Sequence, residues 1–334
     1  MGAPPRRAAT VAPTPPSRFR ALVFPGQGSQ HVGMGRDLAK QFPAARAVFN
    51  EVDETLGERL SRLMFEGPLD ELTRTENAQP AIMAVSAAIV RTLENETGLP
   101  VEQLAAFVAG HSLGEYSALV VARSIALGDA ARLLRRRGLA MRDAGALRPG
   151  TMMTVIGLDL VVVRDIARAA TLQSPAGAVC VAANDNGPGQ VVISGTPEAV
   201  ALAAELAFDQ GARRVVPLSV SGPFHCPLME SAAWDVAAAL TAVDLRPPVV
   251  PLIANVTARE ATSPQVIREN LVAQVTGMVR WRETCLHLKR CGVQELLELG
   301  PGTVLSGLAR SIDRSLTGRA IGTAGTLSAF AESL

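Results

Sequence analysis

Short apolar runs alternate with longer amphipathic segments along most of the chain. The runs are rich in Val, Leu and Ala and predict buried strands, whereas apolar residues spaced three and four apart predict helices between them. Such alternation favours a mostly parallel sheet covered by helices on both faces. The helical pattern between 42 and 95 is expected to break at Gln79-Pro80. The strand-like runs lie at residues 20–24, 105–109, 249–254 and 296–299.

A different pattern occupies the middle of the chain. Strand-like runs at 151–157, 179–183, 190–194 and 213–218 enclose helix-like segments at 161–172 and 197–210, with a turn at 184–189. The order βαββαβ is typical of a ferredoxin-like unit. The sequence therefore predicts an α/β fold with a hydrolase-like, mostly parallel core and an inserted ferredoxin-like small subdomain. The predicted core comprises residues 19–147 and 220–334, and the small subdomain residues 148–219.

Composition narrows the class of protein. The 334 residues are 48% hydrophobic with a net charge of +1, and no apolar run approaches the roughly 18 residues of a membrane span. Nothing in the charge balance favours nucleic acid or a membrane surface as partner. Residues 1–18, rich in Pro, Ala and Arg, lack the apolar stretch of a secretory signal and are predicted to form a disordered leader. We expect a soluble, monomeric protein.

Cysteine spacing predicts neither a disulfide framework nor a metal site. The cysteines lie far apart or at a spacing unlike a metal knuckle, and a chain of this length needs no disulfides. A reducing, cytoplasmic environment fits this pattern. The four residues are Cys180, Cys226, Cys285 and Cys291.

The most informative stretch follows the run at 105–109. Residues 110–114 read Gly-His-Ser-Leu-Gly and lead into a helix-compatible segment, which is the context in which a G-x-S-x-G motif indicates a nucleophile. The glycines suit a sharp strand-to-helix turn with no room for side chains. The hydroxyl of Ser112 would project at a helix N-terminus, where free N–H groups stabilise negative charge. Ser112 is thus the candidate nucleophile.

A serine nucleophile needs a base, and the chain has four histidines. His225 follows a strand in a Gly-Pro loop downstream of Ser112, the order found in hydrolase-like sheets, so it is the predicted base, with a structural loop histidine as the alternative. His111 is expected to point away from Ser112. His31 could line the site, and His287 is expected on a helix surface or half-buried. No motif marks an acidic third member, and a backbone carbonyl could orient the imidazole instead.

Two further features carry possible chemistry. Arg137 falls on the apolar face of the helix that starts near Gly128, where a guanidinium needs a partner or must extend to solvent. The loop at 25–30 is glycine-rich, but its spacing matches neither phosphate-binding motif. It instead offers backbone N–H groups at close range.

Read together, these motifs resemble one family: the malonyl-CoA:acyl carrier protein transacylases and the related acyltransferase domains of fatty acid and polyketide synthases. The resemblance covers nearly everything from residue 20 onward. The motifs that carry it are Phe-Pro-Gly-Gln-Gly-Ser-Gln at 24–30, Gly-His-Ser-Leu-Gly-Glu-Tyr-Ser at 110–117, Arg137-Gly138, Ala-Ala-Asn at 182–184, Gln-Val-Val-Ile-Ser-Gly at 190–195, Val-Ser-Gly-Pro-Phe-His at 220–225, Asn-Val-Thr at 255–257, Gln274 and Gly-Pro-Gly at 300–302.

The resemblance implies a role for each matching residue. Ser112 would take the malonyl group from coenzyme A as an ester, with His225 as general base and acid. The backbone N–H groups of Gln27 and Leu113 would form the oxyanion hole. Arg137 would pair with the free malonyl carboxylate, which a guanidinium can hold by two charge-assisted hydrogen bonds.

It also implies an orienting group, a selectivity residue and a partner. The main-chain carbonyl of Gln274 would orient the histidine, and Phe224 would crowd the α-carbon of malonyl, since methylmalonyl-selective relatives tend to carry serine there. The acceptor would be an acyl carrier protein, and the reaction would use malonyl-CoA as substrate without metal or redox cofactor. Thr303 departs from the lysine that is frequent in the family. A serine thioesterase or esterase, a discrete polyketide acyltransferase with another acyl substrate, and an idle carrier-docking module remain alternatives.

Overall fold

The computed structural model describes residues 19–334, so the predicted leader at 1–18 lies outside the described residues. Two separate sheets organise the chain. In chain order the strands are β1 (Arg20–Phe24), β2 (Phe107–Gly110), β3 (Thr151–Ile156), β4 (Cys180–Gly187), β5 (Gln190–Gly195), β6 (Arg214–Pro217), β7 (Leu252–Ile253), β8 (Glu260–Ala261), β9 (Glu295–Leu299) and β10 (Thr317–Ile321).

Helices cover the sheets, and within residues 19–334 no helix combines the length and apolar character needed to cross a membrane. The helices are α1 (Arg36–Gln41), α2 (Pro43–Leu56), α3 (Leu60–Glu66), α4 (Leu69–Thr73), α5 (Thr75–Thr97), α6 (Val101–Leu104), α7 (Gly114–Val121), α8 (Leu127–Leu147), α9 (Leu160–Gln173), α10 (Pro197–Asp209), α11 (Glu230–Leu240), α12 (Pro264–Thr276), α13 (Trp281–Arg290), α14 (Val304–Ile312) and α15 (Ala324–Ala331), with a short 3-10 turn at Pro227–Met229.

The larger sheet has six strands in the order β10-β9-β1-β2-β7-β8. All neighbours are parallel except β8, which runs antiparallel to β7 at the edge. The mostly parallel core predicted from the sequence is confirmed. Its central pair, β1 and β2, is in register so that Phe24 lies beside Gly110. The loop after β1 and the turn after β2 therefore emerge side by side at the carboxyl edge of the sheet.

The smaller sheet is antiparallel throughout, in the order β4-β5-β3-β6. Its connectivity β3-α9-β4-β5-α10-β6 is the predicted ferredoxin-like βαββαβ pattern. Helices α9 and α10 bury an apolar core of their own against it, which includes Val155, Val163, Ile193 and Val200. The strands span residues 151–217, and the subdomain limits at 148 and 219 stay a prediction.

One predicted interruption is wrong. Helix α5 continues through Pro80, which lies one turn inside its N-terminal end. Proline has no N–H to donate, so the carbonyl of Glu76, four residues earlier, loses its usual partner. Arg135 on α8 supplies the missing donor, because its Nη1 lies 2.8 Å from that carbonyl oxygen. A contact with a distant helix thus keeps the segment helical.

Two strands differ in length from the sequence pattern. β4 continues to Gly187 through the predicted turn, with register shifts against β5, because the Asp185 N–H donates to the carbonyl of Val279. This extension places Asn186 beside His111, at the carboxyl edge of the larger sheet. β7 is shorter than the predicted run at 249–254, since Pro251 has no N–H for the ladder.

Candidate active site

The Ser112 turn forms where β2 ends and α7 begins. Ser112 has a φ of 53°, a left-handed conformation that is costly for a residue with a side chain. A Cβ on Gly110 would lie 2.0 Å from the Gly114 carbonyl group, and one on Gly114 would lie 2.2 Å from the Phe24 oxygen. The turn therefore requires both glycines. The Ser112 N–H donates to Asn255 Oδ1 at 2.7 Å, which holds the strained serine in place.

His225 meets the serine from the loop that returns from the smaller sheet. Its Nε2 lies 2.9 Å from Ser112 Oγ, and its Nδ1 faces the carbonyl oxygens of Gln274 at 2.9 Å and Gly277 at 3.2 Å. Two acceptors at Nδ1 fix the proton there, so Nε2 is left to accept the serine proton. Burial, followed by the positive charge of Arg137, lowers the pKa of His225 to about 3. The imidazole is thus neutral at physiological pH.

Arg137 is the third group on the serine oxygen. Only 1% of it is exposed, and its Nη2 donates to Ser112 Oγ at 3.0 Å and to Gln274 Oε1 at 2.9 Å. Its Nη1 donates to Gln79 Oε1 at 2.7 Å, while Nε finds no acceptor among residues 19–334. Neutral amides hold the guanidinium, so it neither extends to solvent nor forms a direct ion pair within the described residues. A buried cation with a free donor is well suited to bind an anion.

A buried carboxylate lies behind these groups. Glu115 is 1% exposed, and its Oε2 accepts hydrogen bonds from Gln274 Nε2 at 2.6 Å and from the Asn255 N–H at 3.2 Å. Burial raises the pKa of Glu115 to about 7, against the opposing effect of these bonds and of the Arg137 charge. Sequence reasoning assigned no role to Glu115 or Asn255. The signal for both was their presence in the motifs at 110–117 and 255–257.

The predicted oxyanion-hole residues lie on either side of the serine. The Gln27 loop follows β1 and Leu113 follows Ser112, so the register of β1 and β2 places both at one cavity. Neither backbone N–H donates to an acceptor in the part of the chain that the structure describes. The Gln27 side chain is fixed separately, because its Nε2 donates to Thr75 Oγ1 at 3.2 Å.

The remaining predicted residues occupy different positions. Phe224, 6% exposed, lines the Ser112 cavity together with Met152 of β3. His111 turns to Asn186, with its Nε2 2.9 Å from the amide oxygen, and does not act on the serine hydroxyl. His31 is exposed beside the Ser29 carbonyl and is not part of the cavity lining. His287 lies on helix α13 as expected, but it is buried.

The Ser112 cavity opens into a second cavity between the two sheets. Both are lined by Gln27, His111, Asn184 and Leu218. The second cavity extends toward Val304 at the start of α14. The shared lining connects the serine to the space between the two sheets.

Comparison with known proteins places this geometry in a family. The acyl transferase domain family matches residues 21–327. A malonyl CoA-acyl carrier protein transacylase of Bacillus subtilis is 44% identical over 89% of this chain and 91% of its own length. The crystal structure of an acyl-carrier-protein-S-malonyltransferase from Bartonella henselae superimposes with a TM-score of 0.90 at 50% identity, covering 94% of this chain and 99% of that one.

A further solved structure contains a partner. It is a malonyl-transacylase in complex with a type II polyketide synthase acyl-carrier protein, and it matches with a TM-score of 0.89 at 39% identity over 95% of this chain and all of that chain. The high identity over nearly the whole length agrees with the motifs and the site geometry. The chain therefore belongs to the acyl transferase domain family, among the malonyl CoA-acyl carrier protein transacylases.

Proposed function

We propose that this chain transfers the malonyl group of malonyl-CoA to the phosphopantetheine thiol of an acyl carrier protein through an ester on Ser112. The observation that carries the proposal is the environment of a single oxygen. Ser112 Oγ lies 2.9 Å from the base nitrogen of His225 and 3.0 Å from a guanidinium nitrogen of Arg137. Nucleophile, base and anion-binding cation thus meet at one point.

In the first half-reaction, Ser112 Oγ attacks the thioester carbonyl carbon of malonyl-CoA. His225 Nε2 takes the hydroxyl proton as the C–O bond forms, and the Gln274 and Gly277 carbonyls stabilise the resulting imidazolium through Nδ1. The C–S bond then breaks, and His225 returns the proton to the departing thiolate. The products are malonyl-Ser112 and free coenzyme A.

The tetrahedral intermediate needs donors for its oxyanion. The backbone N–H groups of Gln27 and Leu113 border the cavity and are free to donate, which supports their role as the oxyanion hole. Donors fixed by the backbone need no reorganisation when charge develops on the oxygen. Removing one such donor typically costs about 100- to 1000-fold in rate.

Arg137 would hold the free carboxylate of the malonyl group. Its Nε has an unused N–H, and its Nη2 donates to Ser112 Oγ and Gln274 Oε1. If Nη2 exchanges the serine oxygen for the substrate, a carboxylate beside the serine can accept two parallel hydrogen bonds. Binding of this anion would also offset the positive charge that helps to depress the pKa of His225. The substrate would thereby raise the basicity of the imidazole that must act on it.

In the second half-reaction, the carrier thiol is the nucleophile and Ser112 Oγ is the leaving group. His225 Nε2 accepts the proton of the carrier thiol, the sulfur attacks the ester carbonyl, and the C–O bond breaks as the proton passes to Ser112 Oγ. The phosphopantetheine arm would reach the serine through the cavity between the sheets, past His111 and Asn184. All atoms transferred come from the two substrates, so the proposal requires neither a metal nor a redox cofactor.

Phe224 would set the choice of acyl group. Its buried ring lines the cavity, and Phe224 directly precedes His225 in the sequence. The ring would crowd a substituent on the α-carbon of the acyl chain. Discrimination of one methyl group in such a pocket is usually worth about 1–3 kcal/mol. We therefore expect malonyl to be preferred over methylmalonyl, but not absolutely.

Labelled malonyl-CoA tests the proposal against its alternatives. The protein alone should retain label, and the Ser112→Ala variant should retain none. Addition of holo acyl carrier protein should move the label onto the carrier thiol. Release of label only as free malonate would instead establish a thioesterase. A wild-type protein that neither retains label nor transfers it to the carrier would be the idle docking module.

Two carriers extend the same experiment. A fatty acid carrier and a type II polyketide carrier, each offered at equal concentration to the malonyl-loaded protein, compete for the label. Preference for one identifies the pathway that the enzyme serves. An apo carrier, which lacks the phosphopantetheine thiol, is the matched control and should receive no label.

A further inference from the structure

Three residues with metal-binding side chains meet outside the Ser112 site. Glu260 lies in the edge strand β8, whereas His287 and Cys291 lie at the C-terminal end of α13. Their ligand atoms all fall within 4.8 Å of one another. The sequence pattern predicts no metal site because the ligands are separated by nearly thirty residues, and the fold brings them together. None of the three lines the Ser112 cavity.

The distances fit a single small cation. His287 Nε2 lies 3.6 Å from Cys291 Sγ and 3.7 Å from Glu260 Oε1. In a tetrahedral zinc site with Zn–S near 2.3 Å and Zn–N or Zn–O near 2.0–2.2 Å, the ligand atoms are separated by about 3.3–3.6 Å. The Glu260 and Cys291 side chains are exposed, so small rotations can bring them to these spacings. One imidazole nitrogen already faces both.

The positions of the ligands are held by the fold. Cys291 donates its N–H to the His287 carbonyl at 3.1 Å, and the spacing i, i+4 puts both side chains on one helix face. Helix α13 is anchored by the buried Trp281 and Leu288. Glu260 is paired with Ile253 through the β7–β8 ladder. His287 itself is only 9% exposed, so its ring has little freedom to turn away.

The electrostatics of the cluster favour a cation. The Glu260 carboxylate and the Cys291 sulfur both face the His287 imidazole. With the thiol ionised, as metal ligation requires, these two ligands carry two negative charges. A divalent ion would offset both negative charges and favour the thiolate.

We propose that Glu260, His287 and Cys291 form a binding site for a divalent cation of the zinc type, with the fourth position open to water. The mixed N, O and S ligand set suits zinc or cobalt rather than magnesium or calcium, which prefer oxygen alone. Bound metal would clamp the edge hairpin of the larger sheet to helix α13. The site is independent of the acyl-transfer chemistry.

Titration of chelator-treated protein with Co²⁺ tests the site. A Co²⁺–thiolate bond produces a charge-transfer band in the near ultraviolet, and tetrahedral coordination produces intense visible bands. We expect both bands at one equivalent of metal. Cys291→Ser should abolish the charge-transfer band, and Glu260→Gln should weaken binding by about tenfold or more. His31→Ala, which removes an exposed histidine elsewhere, should leave the titration unchanged.

Thermal unfolding gives an independent readout. One equivalent of Zn²⁺ should raise the unfolding midpoint of the chelated protein, and Mg²⁺ should not. The rise should disappear in Cys291→Ser, a substitution at an exposed position outside the apolar core. A Co²⁺ spectrum without the thiolate band, or equal Zn²⁺ stabilisation of the wild type and Cys291→Ser, would overturn the proposal.

Discussion

The two sheets of the molecule contain different kinds of interior. Beneath the carboxyl edge of the larger, parallel sheet lie a buried carboxylate, a buried guanidinium and a serine in a strained conformation, at Glu115, Arg137 and Ser112. The apolar core of the smaller, antiparallel sheet consists mainly of Val, Ile, Leu and Ala side chains, and the buried carboxylate on its strand β4, Asp185, is paired with Arg282. The strained serine and its two buried charged neighbours lie together where strands β1, β2 and β7 end.

This difference suggests a division of labour. In a parallel sheet, the carboxyl ends of all strands lie at one edge, and the helix that follows each strand begins there. Groups from distant parts of the chain therefore converge at that edge. An antiparallel sheet spreads its turns over both ends and offers no such point. Here the smaller sheet contributes Met152 and Asn184 to the cavity wall, so it covers one side of the site.

Among the substitutions that we predict to alter the molecule, removal of the Arg137 guanidinium should have the largest effect. Arg137→Ala should reduce malonyl transfer about 30- to 5000-fold, because a buried charged hydrogen-bonding partner is worth about 2–5 kcal/mol. Acetyl transfer, which involves no free carboxylate, should change only a few-fold. Initial rates with malonyl-CoA and acetyl-CoA measure both effects on the same protein.

The neighbouring arginine supplies the control for this variant. Arg136 is exposed and pairs with Asp235 on the helix surface, so Arg136→Ala should leave both rates near wild type. Equal losses of malonyl and acetyl transfer in Arg137→Ala would show that the guanidinium acts only in positioning Ser112. The larger sheet would then contain a structural cation rather than a binding one.

The buried carboxylate predicts a pH dependence of stability. Burial raises the pKa of Glu115 from 4.5 to about 7, so the folded state binds more protons than the unfolded state between these values. The contribution of Glu115 to the free energy of unfolding of the wild type is therefore fully present below pH 4.5 and is lost as the pH rises through 7. Glu115→Gln keeps an acceptor for Gln274 and Asn255 but does not ionise.

Denaturant unfolding at several pH values measures this difference. Relative to wild type, the free energy of unfolding of Glu115→Gln should increase by about 2 kcal/mol between pH 5 and pH 8. Glu269→Gln, the same change at an exposed position on α12, should show no such trend. A constant difference across this range would mean that Glu115 remains ionised in the fold and pairs permanently with the Arg137 charge.

Local patterns in the sequence predicted much of the fold. The apolar runs at 20–24 and 296–299 became adjacent parallel strands, and the βαββαβ order was confirmed because alternation and turn residues are local signals. Pro80 marks the limit of such reasoning. The rule that proline removes a hydrogen bond is correct, but only the fold shows that Arg135 replaces the lost donor.

The candidate site could be predicted from the sequence where a motif is continuous in the chain. Ser112 could be recognised from its flanking glycines, and its contact with His225 agrees with their order in the sequence. Glu115 could not be assigned, since an acid in the first turn of a helix is usually an exposed residue that stabilises the helix dipole. Its partners Gln274 and Asn255 lie 159 and 140 residues away, beyond any local pattern.

The smallest predicted effect concerns Phe224, which lies in the loop that returns from the smaller sheet to the larger one. Phe224→Ser should increase the rate with methylmalonyl-CoA relative to malonyl-CoA by about tenfold, because it removes a buried ring from the cavity wall. The ratio of the two rates, measured by competition, is insensitive to any loss of folded protein. Phe208→Ser, the same change at an exposed position on α10, should leave the ratio unaltered. If Phe224→Ser also left it unaltered, selection would lie with residues of the smaller sheet such as Met152, and the smaller sheet would do more than cover the site.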